Sequence, residues 1–422
     1  MAWDFVKTSE LATKAFLRSF GKSMNEPGNQ KGNDCPLAAA RALRGRAGLA
    51  FFDSSLAGRG AISLLATEPD LVLSGTDWEQ LETELARRAR PETGAGHPDG
   101  AAIGWVSFDG AFHFSFYDRV HVFLHDEERW GVLPDLPDLP GAGPASLGAR
   151  IDFEPQLSQK TFLAMVDRAK EYIAAGDIYQ VCLSHPFVAR TDVAAWDFYE
   201  ALRRCSPAPH AAYIDGGSLQ IASASPECFL RMSGRQVTTR PIKGTRPRRS
   251  DAAEDRMSAE DLISSPKEIA ELVMITDLER NDLGQVCEFG SVSVRELLSL
   301  ETYEQVFHLV SAVEGRLRPD VSHVRALRAC FPGGSISGAP KKRAMEIIRE
   351  LEPFPRGLYT GAIGYFGFNG ESQFSIAIRT AIIEGGRAHF HVGAGIVADS
   401  IPEREWQETL DKASGILAAG RG

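Results

Sequence analysis

The sequence predicts a mixed α+β fold built on large, mainly antiparallel sheets. Long segments rich in β-branched and aromatic residues follow one another at short spacing, and Asn369–Gly370 and Gly385–Gly386 supply hairpin turns between them. Amphipathic helical segments are interspersed among these strands. Sheets combined with helices in this way are typical of α+β folds.

A Pro/Gly-rich stretch at 131–149 predicts a linker or a long surface connection that divides the chain near residue 150. In the first part, 1–150, the polar stretch 21–35 predicts a flexible loop. Short strands are then predicted in "GLAFFDSSL", "DLVLSG", "AAIGWVSFDG" and "HVFLH".

The part after the division, 151–422, has clearer signals. Helices are predicted at 158–176, 194–205, 266–281, 340–352 and 403–419. Strands are predicted in "IYQVCLSHPFVA", "LQIASASPECFLRMSGRQVTTR", "YEQVFHLVSAVEGRL", "LYTGAIGYFGF", "SQFSIAIRTAIIEGG" and "RAHFHVGAGIVA".

Composition excludes several classes of function. The chain has 422 residues, 43% of them hydrophobic and 24% charged, and its net charge of −10 disfavours general affinity for nucleic acid. The six cysteines form no CxxC pair or zinc-type cluster. We find no secretory leader and no apolar run of 18 residues, so the sequence predicts a cytoplasmic protein without a membrane span.

The segment "TTRPIKGTRPRR", residues 238–249, is predicted to be a loop with a single lysine, Lys243, among arginines. Lys243 is either one more solvated cation or an amine placed to react. Arginine could supply the charge but not the nucleophile, because a guanidinium stays protonated.

The helix predicted at 266 begins with a capping box, in which Ser265 is the N-cap and Glu268 the third helical residue. Its apolar residues surround most of the circumference, which predicts a buried helix. Glu271 falls among them. A buried carboxylate needs a partner, so Glu271 is predicted to belong to a buried ion pair or to bind a hard cation such as Mg²⁺.

Arg379 in "SQFSIAIRTAII" is predicted to share one strand face with small residues such as Ser375 and Ala377. A guanidinium in such surroundings suits either a pocket wall that grips a carboxylate or an exposed solvent face.

The segment "FPGGSISGAPKKRAM" is a glycine-rich turn before a helix, and it could bind an anion through its amides. It lacks the Gly-Lys-Ser/Thr of a P-loop, so nucleotide binding has little support. Glycines in "VGAGIVAD" form a second predicted turn. In the last helix, Glu408 and Lys412 are spaced as a surface salt bridge.

Taken together, these segments resemble the chorismate-utilising enzymes, a family that includes anthranilate, aminodeoxychorismate, isochorismate and salicylate synthases. The resemblance covers about 175–415. It is carried by "AGDIYQVCLS", "SASPECFLR", "RPIKGTRPR", "ELVMITDLERNDLG", "VFHLVSAVEG", "FPGGSISGAPKKRAMEIIRELE", "GAIGY", "SIAIRT", "GAGIVADS" and "EWQETLDKA". The N-terminal part matches more loosely, through "FFDSSL", "LLATEPDLVL" and "GWVSFDG".

The resemblance implies a two-sheet sandwich with outer helices, in which 1–150 forms the N-terminal part and 151–422 the chorismate-binding catalytic region. It implies that Glu271 and Glu408 hold Mg²⁺, which grips the ring carboxylate of chorismate. It also implies a set of residues around the substrate: Gln180, His308, Tyr359, Arg379, the Gly393–Ala394–Gly395 turn and Lys412. Arg379 and the amides of that turn are expected to receive the enolpyruvyl carboxylate. Glu227 in "SASPECF" corresponds to a general acid, and the alternative is a structural carboxylate at a strand end.

Two residues favour one member of the family. In isochorismate and salicylate synthases, a lysine stands at the position of Gln180. In anthranilate synthases, an alanine stands at the position of Lys243. The resemblance therefore implies aminodeoxychorismate synthesis through a Lys243 adduct. The lysine must be partly neutral, and Arg240, Arg246, Arg248 and Arg249 are expected to lower its pKa.

No glutamine amidotransferase domain is recognisable in the chain, so the resemblance also implies a separate glutaminase subunit that supplies ammonia. The alternatives are anthranilate synthase activity, a non-catalytic partner subunit and, more distantly, nucleotide binding by the 333–341 loop.

Overall fold

The computed structural model describes residues 35–56, 60–131, 150–303 and 305–421. The loop predicted at 21–35 and the linker predicted at 131–149 lie almost entirely outside these ranges, so both stay predictions. Within them, the structure confirms the α+β class. Two large sheets are present, and every strand pairing that the described residues form is antiparallel.

The first sheet has 11 strands. Along the sheet, these are β17 (Gly338–Ala339), β9 (Gln180–Arg190), β21 (Arg387–Ile396), β20 (Thr380–Glu384), β11 (Leu219–Ser225), β10 (His210–Asp215), β1 (Ala50–Asp53), β2 (Ile62–Ala66), β6 (His121–Leu124) and β7 (Arg129–Trp130), with β8 (Glu154–Pro155) beside β9.

The second sheet has 10 strands. Along the sheet, these are β14 (Ile242–Pro247), β16 (Val306–Arg316), β13 (Gln236–Arg240), β12 (Cys228–Ser233), β19 (Glu371–Ile376), β18 (Ala362–Gly367), β4 (Ala101–Val106), β5 (Phe112–Tyr117) and β3 (Leu71–Gly75), with β15 (Ser293–Thr302) beside β16. Both sheets thus combine strands from before and after residue 150.

Helices flank the sheets. They are α1 (Pro36–Ala42), α2 (Trp78–Arg87), α3 (Gln159–Ala174), α4 (Ala195–Cys205), α5 (Ala252–Ser264), α6 (Pro266–Gly284), α7 (His323–Cys330), α8 (Lys341–Leu351) and α9 (Pro402–Arg421). None of the helices in the described ranges is long and apolar enough to cross a membrane.

The core is divided among the layers. One cluster lies between the sheets and joins residues such as Leu64 and Ile221 of the first sheet to Ile103 and Ile363 of the second. Other clusters bury the outer faces of the sheets beneath the helices. The arrangement confirms a sandwich with outer helices, and burial of apolar area between its layers is the main source of its stability.

The five predicted helices are all present, with ends within a few residues of the prediction. Helices α1, α2, α5 and α7 were not predicted, nor were several strands, among them β2, β5, β10 and β15. Helix α5 shows why: its buried side consists only of Asp255, Ala259 and Leu262, one of which is charged. Asp255 is buried because it pairs with Arg248, and no hydrophobic periodicity records such a pairing.

Candidate active site

A cavity of about 750 Å³ brings nearly all the predicted site residues together. Its walls come from β14, β16, α6, β21, α9 and the segments around Ser335 and Tyr359. The predicted residues that line it are Glu227, Lys243, Glu271, His308, Tyr359, Arg379, Gly393, Ala394, Gly395, Glu408 and Lys412. Gln180 lies just behind the wall: it is fully buried, and its Nε2 is 3.4 Å from Glu271 Oε2.

Lys243 lies in a strand, so the loop predicted at 238–249 was wrong. Strand β14 pairs with β16, and a bulge after Lys243 places Gly244 at φ +75°. A side chain at Gly244 would meet Leu262 Cδ1 at 2.6 Å, which explains why glycine follows the lysine. The Lys243 ammonium donates to the Ser335 carbonyl at 3.2 Å and lies 3.9 Å from Glu271 Oε2.

Three of the four arginines expected to lower the pKa of Lys243 pair with acids elsewhere, and the fourth, Arg249, is exposed and does not act on the amine. Arg240 pairs with Glu296 and Glu301, Arg246 with Asp261, and Arg248 with Asp255. The electrostatic part of that prediction was therefore wrong.

Acidic groups surround the Lys243 amine instead. Burial lowers its pKa, but Cys182, Glu271, Glu227 and Glu408 outweigh burial, so the pKa of Lys243 is raised above its ordinary value. In the free protein, Lys243 is protonated.

Carboxylates from two helices meet near Lys243. Burial raises the pKa of Glu271 on α6, whereas Lys412, Lys267 and Lys243 together outweigh burial and lower the pKa of Glu408 on α9. The Lys267 ammonium lies 3.9 Å from Glu271 Oε1 and 3.8 Å from Glu405 Oε1. A cation thus already lies between the two helices.

Glu405 was not predicted, although it stands one turn before Glu408 on the same helix. Its Oε2 is buried and has no hydrogen-bond partner among the described residues. No group of three or more histidines, cysteines or acids within the described ranges is arranged to hold a metal. The two cavity carboxylates, Glu271 and Glu408, nevertheless carry hard oxygen donors of the kind that Mg²⁺ takes, with water completing the shell.

Arg379 is in the cavity wall but not in a strand, which corrects its predicted position. Strand β19 ends at Ile376, and Arg379 has φ 49°, in the left-handed region that non-glycine residues rarely adopt. Its guanidinium makes no hydrogen bond or ion pair with the described chain, and burial lowers its pKa while Glu227 opposes the shift. An unpaired, largely buried guanidinium on a strained backbone is suited to binding an anion.

Glu227 follows the end of β11 and is 6% exposed. Burial raises its pKa, and Ser335 and Lys243 only partly offset this. His308 lies nearby on β16, where Nδ1 is 2.9 Å from Thr245 Oγ1. Burial and Arg379 lower the pKa of His308 to about 4, so the imidazole is neutral near pH 7.

The glycines of "VGAGIV" form a regular strand and not the predicted turn, since β21 pairs with β9 from Arg387 to Ile396. Added side chains would meet Leu183 O at 2.6 Å at Gly393 and Gln180 Nε2 at 2.7 Å at Gly395. Lys412 donates to Gly393 O at 2.9 Å. Because N–H and C=O of one residue point to the same side of an extended strand, the Gly393 amide also points away from β9.

Sequence reasoning missed a buried ion pair that supports several of these walls. Arg356 pairs with Glu352 and donates to Cys182 O at 2.7 Å and to Ile336 O at 3.2 Å. Glu352 in turn accepts the Ser184 N–H at 2.7 Å. Only the assembled fold reveals such a set, because its members come from three separate segments.

The glycine-rich segment 333–341 does not present a free amide nest. The Gly334 N–H donates to the buried Glu279 Oε1 at 2.9 Å, and Lys341 pairs with the buried Asp282. The geometry gives nucleotide binding no further support.

Comparison with known proteins relates the chain to enzymes of one family. A family model described as chorismate binding enzyme matches residues 51–418. Anthranilate synthase component 1 of Thermus thermophilus is 47% identical over 281 residues, which span 67% of this chain and 61% of that protein. Aminodeoxychorismate synthase component 1 of Bacillus subtilis is 39% identical over 367 residues, which span 76% of this chain and 77% of that protein.

Solved structures have the same fold. Anthranilate synthase component I from Streptococcus pneumoniae superposes with a TM-score of 0.75 at 32% identity, covering 93% of this chain and 100% of that one. The isochorismate synthase MenF of Escherichia coli shares the fold, with a TM-score of 0.74 at 19% identity over 97% of this chain and 99% of that one. The chain therefore belongs to the chorismate-binding enzyme family.

Proposed function

We propose that this chorismate-binding enzyme converts chorismate and ammonia to 4-amino-4-deoxychorismate, as an aminodeoxychorismate synthase component I. Its relatives carry two names, so identity alone does not choose between that reaction and anthranilate synthesis. The observation that carries the proposal is Lys243: a primary amine whose side chain is 15% exposed, in the cavity wall beside Glu227 and Glu271. The product lies upstream of 4-aminobenzoate and folate.

The reaction proceeds by two displacements with allylic shift. The Lys243 amine attacks C2 of chorismate, the ring double bonds shift, and the C4 hydroxyl leaves as water after protonation by Glu227. Ammonia then attacks C4, the double bonds shift back, and the bond between C2 and the lysine breaks. The net change replaces hydroxyl by amine and returns Lys243 unchanged.

The protons balance within the site. Lys243 is protonated in the free protein and must lose a proton before it attacks, while the departing hydroxyl must gain one. Glu227 interacts electrostatically with Lys243, and burial raises its pKa. One carboxyl group can therefore take the proton from the ammonium and deliver it to the C4 oxygen.

The remaining residues bind and orient the substrate. The Arg379 guanidinium and the amides on the free side of β21 suit the enolpyruvyl carboxylate. Magnesium held by Glu271 and Glu408 would neutralise the ring carboxylate and fix the ring over Lys243. Ammonia would come from a separate glutamine amidotransferase subunit.

The test uses the purified chain with chorismate, Mg²⁺ and ammonium at mildly alkaline pH, without a partner subunit, and identifies the product by chromatography and mass. Aminodeoxychorismate that disappears in Lys243→Ala supports the proposal. Anthranilate as the product, or full activity of Lys243→Ala, would overturn it. Lys342→Ala, on an exposed lysine outside the cavity, is the matched control and should keep wild-type activity.

A non-catalytic partner subunit is the remaining alternative. The presence of a candidate for every catalytic role argues against it, and turnover of chorismate by the isolated chain would exclude it.

A further inference from the structure

His391 is a buried side chain at the cavity for which the proposed reaction has no role so far. It lies on β21 two residues before Gly393, on the strand face that lines the cavity. The residue is 6% exposed, and its ring stacks on Tyr359 with centroids 5.4 Å apart and planes 20° apart.

The imidazole has no hydrogen-bond partner in the part of the chain that the structure describes. Nδ1 is enclosed and unpartnered. Nε2 is not among the enclosed atoms, and it likewise has no hydrogen-bond partner among the described residues. Buried polar groups are almost always satisfied, so an unpartnered ring beside a cavity points to a ligand.

The surroundings of His391 define what it can offer that ligand. Burial lowers its pKa to about 3, and His389, Arg356 and His185 add to this effect, so the ring is neutral with a single N–H. An N–H enclosed without an acceptor is unfavourable. The proton therefore belongs on Nε2, which makes that nitrogen a donor into the cavity.

The acceptor is best supplied by an anionic oxygen. The amide of Gly393 points away from β9. Two residues along a strand span about 7 Å, so a carboxylate bound at the Gly393 amide lies within reach of the long imidazole side chain of His391. The nearby guanidinium of Arg356 adds positive potential and disfavours a cationic donor as the ligand.

We propose that His391 is a substrate-binding residue that donates a hydrogen bond from Nε2 to a carboxylate oxygen of chorismate. The inference rests on the proposed function, because it takes chorismate as the ligand.

The test compares the wild type with His391→Phe, which keeps an aromatic ring on Tyr359 but removes both nitrogens, and with His391→Gln, which returns an N–H near the position of Nε2. His391→Phe should raise KM for chorismate and the Kd for chorismate measured by calorimetry about 10- to 100-fold, with kcat changed less than about threefold. His391→Gln should restore most of the affinity. His389→Phe, a half-buried histidine on the same strand outside the cavity wall, should leave both constants unchanged.

Equal affinity of wild type and His391→Phe would overturn the inference while leaving the proposed function intact. A wild type that neither binds nor converts chorismate would overturn both. Benzoate, which has only the ring carboxylate, separates the two carboxylates of chorismate. Weaker inhibition of His391→Phe by benzoate assigns the hydrogen bond to the ring carboxylate. Unchanged inhibition alongside a raised KM for chorismate assigns it to the enolpyruvyl group.

Discussion

Replacing Arg379 with methionine should have opposite effects on stability and on activity. In the free protein, the guanidinium is largely buried and has no hydrogen bond or ion pair with the described chain. A buried charge without a partner costs several kcal/mol, and partial exposure together with the Glu227 carboxylate reduces that cost here. We therefore expect methionine to stabilise the fold by about 1–2 kcal/mol.

The loss in activity follows from the bonds that Arg379 would make to substrate. A bidentate guanidinium–carboxylate pair has two charge-assisted hydrogen bonds of about 1.5–3 kcal/mol each. Their removal should lower kcat/KM for chorismate by about 10²–10⁴-fold.

Steady-state kinetics with ammonium and thermal unfolding of the same samples measure both effects. For a chain of this length, 1–2 kcal/mol corresponds to a rise of about 1–2 °C in Tm. Arg387→Met removes the same charge from an exposed position on β21 and should change neither quantity. A lower Tm for Arg379→Met, or a kcat/KM within tenfold of wild type, would refute the view that this guanidinium is held open for an anion.

Three further predictions concern two buried residues behind the cavity and one glycine in its wall. Glu279→Gln should remove a pH dependence of the free energy of unfolding. Burial and Asp282 raise the pKa of Glu279 to about 7, so the fold favours its neutral form. The stability that this group contributes is complete below about pH 4.5 and is lost as pH rises through 7. Chemical denaturation at pH 5 and pH 8 should show Glu279→Gln gaining about 2–3 kcal/mol on wild type over that interval, and parallel profiles would contradict this. Lys341→Met should lower the free energy of unfolding by about 3–5 kcal/mol, because it leaves Asp282, whose side chain is 3% exposed, without its cation. The double variant with Asp282→Asn should recover part of this loss. An unaltered denaturation midpoint in the single variant would exclude a stabilising pair. Gly393→Ala should lower the free energy of unfolding by about 1–3 kcal/mol and remove most of the activity, because its Cβ would lie 2.6 Å from Leu183 O and 2.8 Å from the Tyr359 hydroxyl. Gly284→Ala has open space around its Cβ and should be tolerated. Equal behaviour of the two variants in thermal melting and turnover would argue against a close-packed glycine strand.

Helix α6 shows how far the sequence could predict the site. Its start, its capping residue and the unusual position of Glu271 followed from pattern alone. The predicted burial on all sides was wrong, because Val273 is 37% exposed. The buried face instead includes Glu279 and Asp282, and their partners come from the segment near residue 334 and from Lys341. Hydrophobic periodicity cannot predict a buried acid whose partner is distant in sequence.

Lys243 shows a similar limit for electrostatics. Neighbours in sequence suggested that arginines would lower its pKa, but the side chains of a strand alternate between two faces, and those arginines pair with acids on α5 and β15. Residues that act on the amine, such as Glu271 and Glu408, are contributed by helices far along the chain. The charge on a side chain at a cavity depends on which elements meet there, so only the fold could give it.

The last helix shows that a modest surface interaction and a functional one can share the same geometry. The Lys412–Glu408 bond is present at 2.7 Å, as the i,i+4 spacing predicts, and both side chains remain partly exposed. What the spacing could not predict is that the same ammonium also donates to the Gly393 carbonyl at 2.9 Å, on a strand that lines the cavity. A divalent cation at Glu408 would compete with Lys412 for the same oxygen. If Glu408 binds Mg²⁺ as proposed, the salt bridge of the free protein would be rearranged, and Lys412 would be released from Glu408 to interact with the substrate.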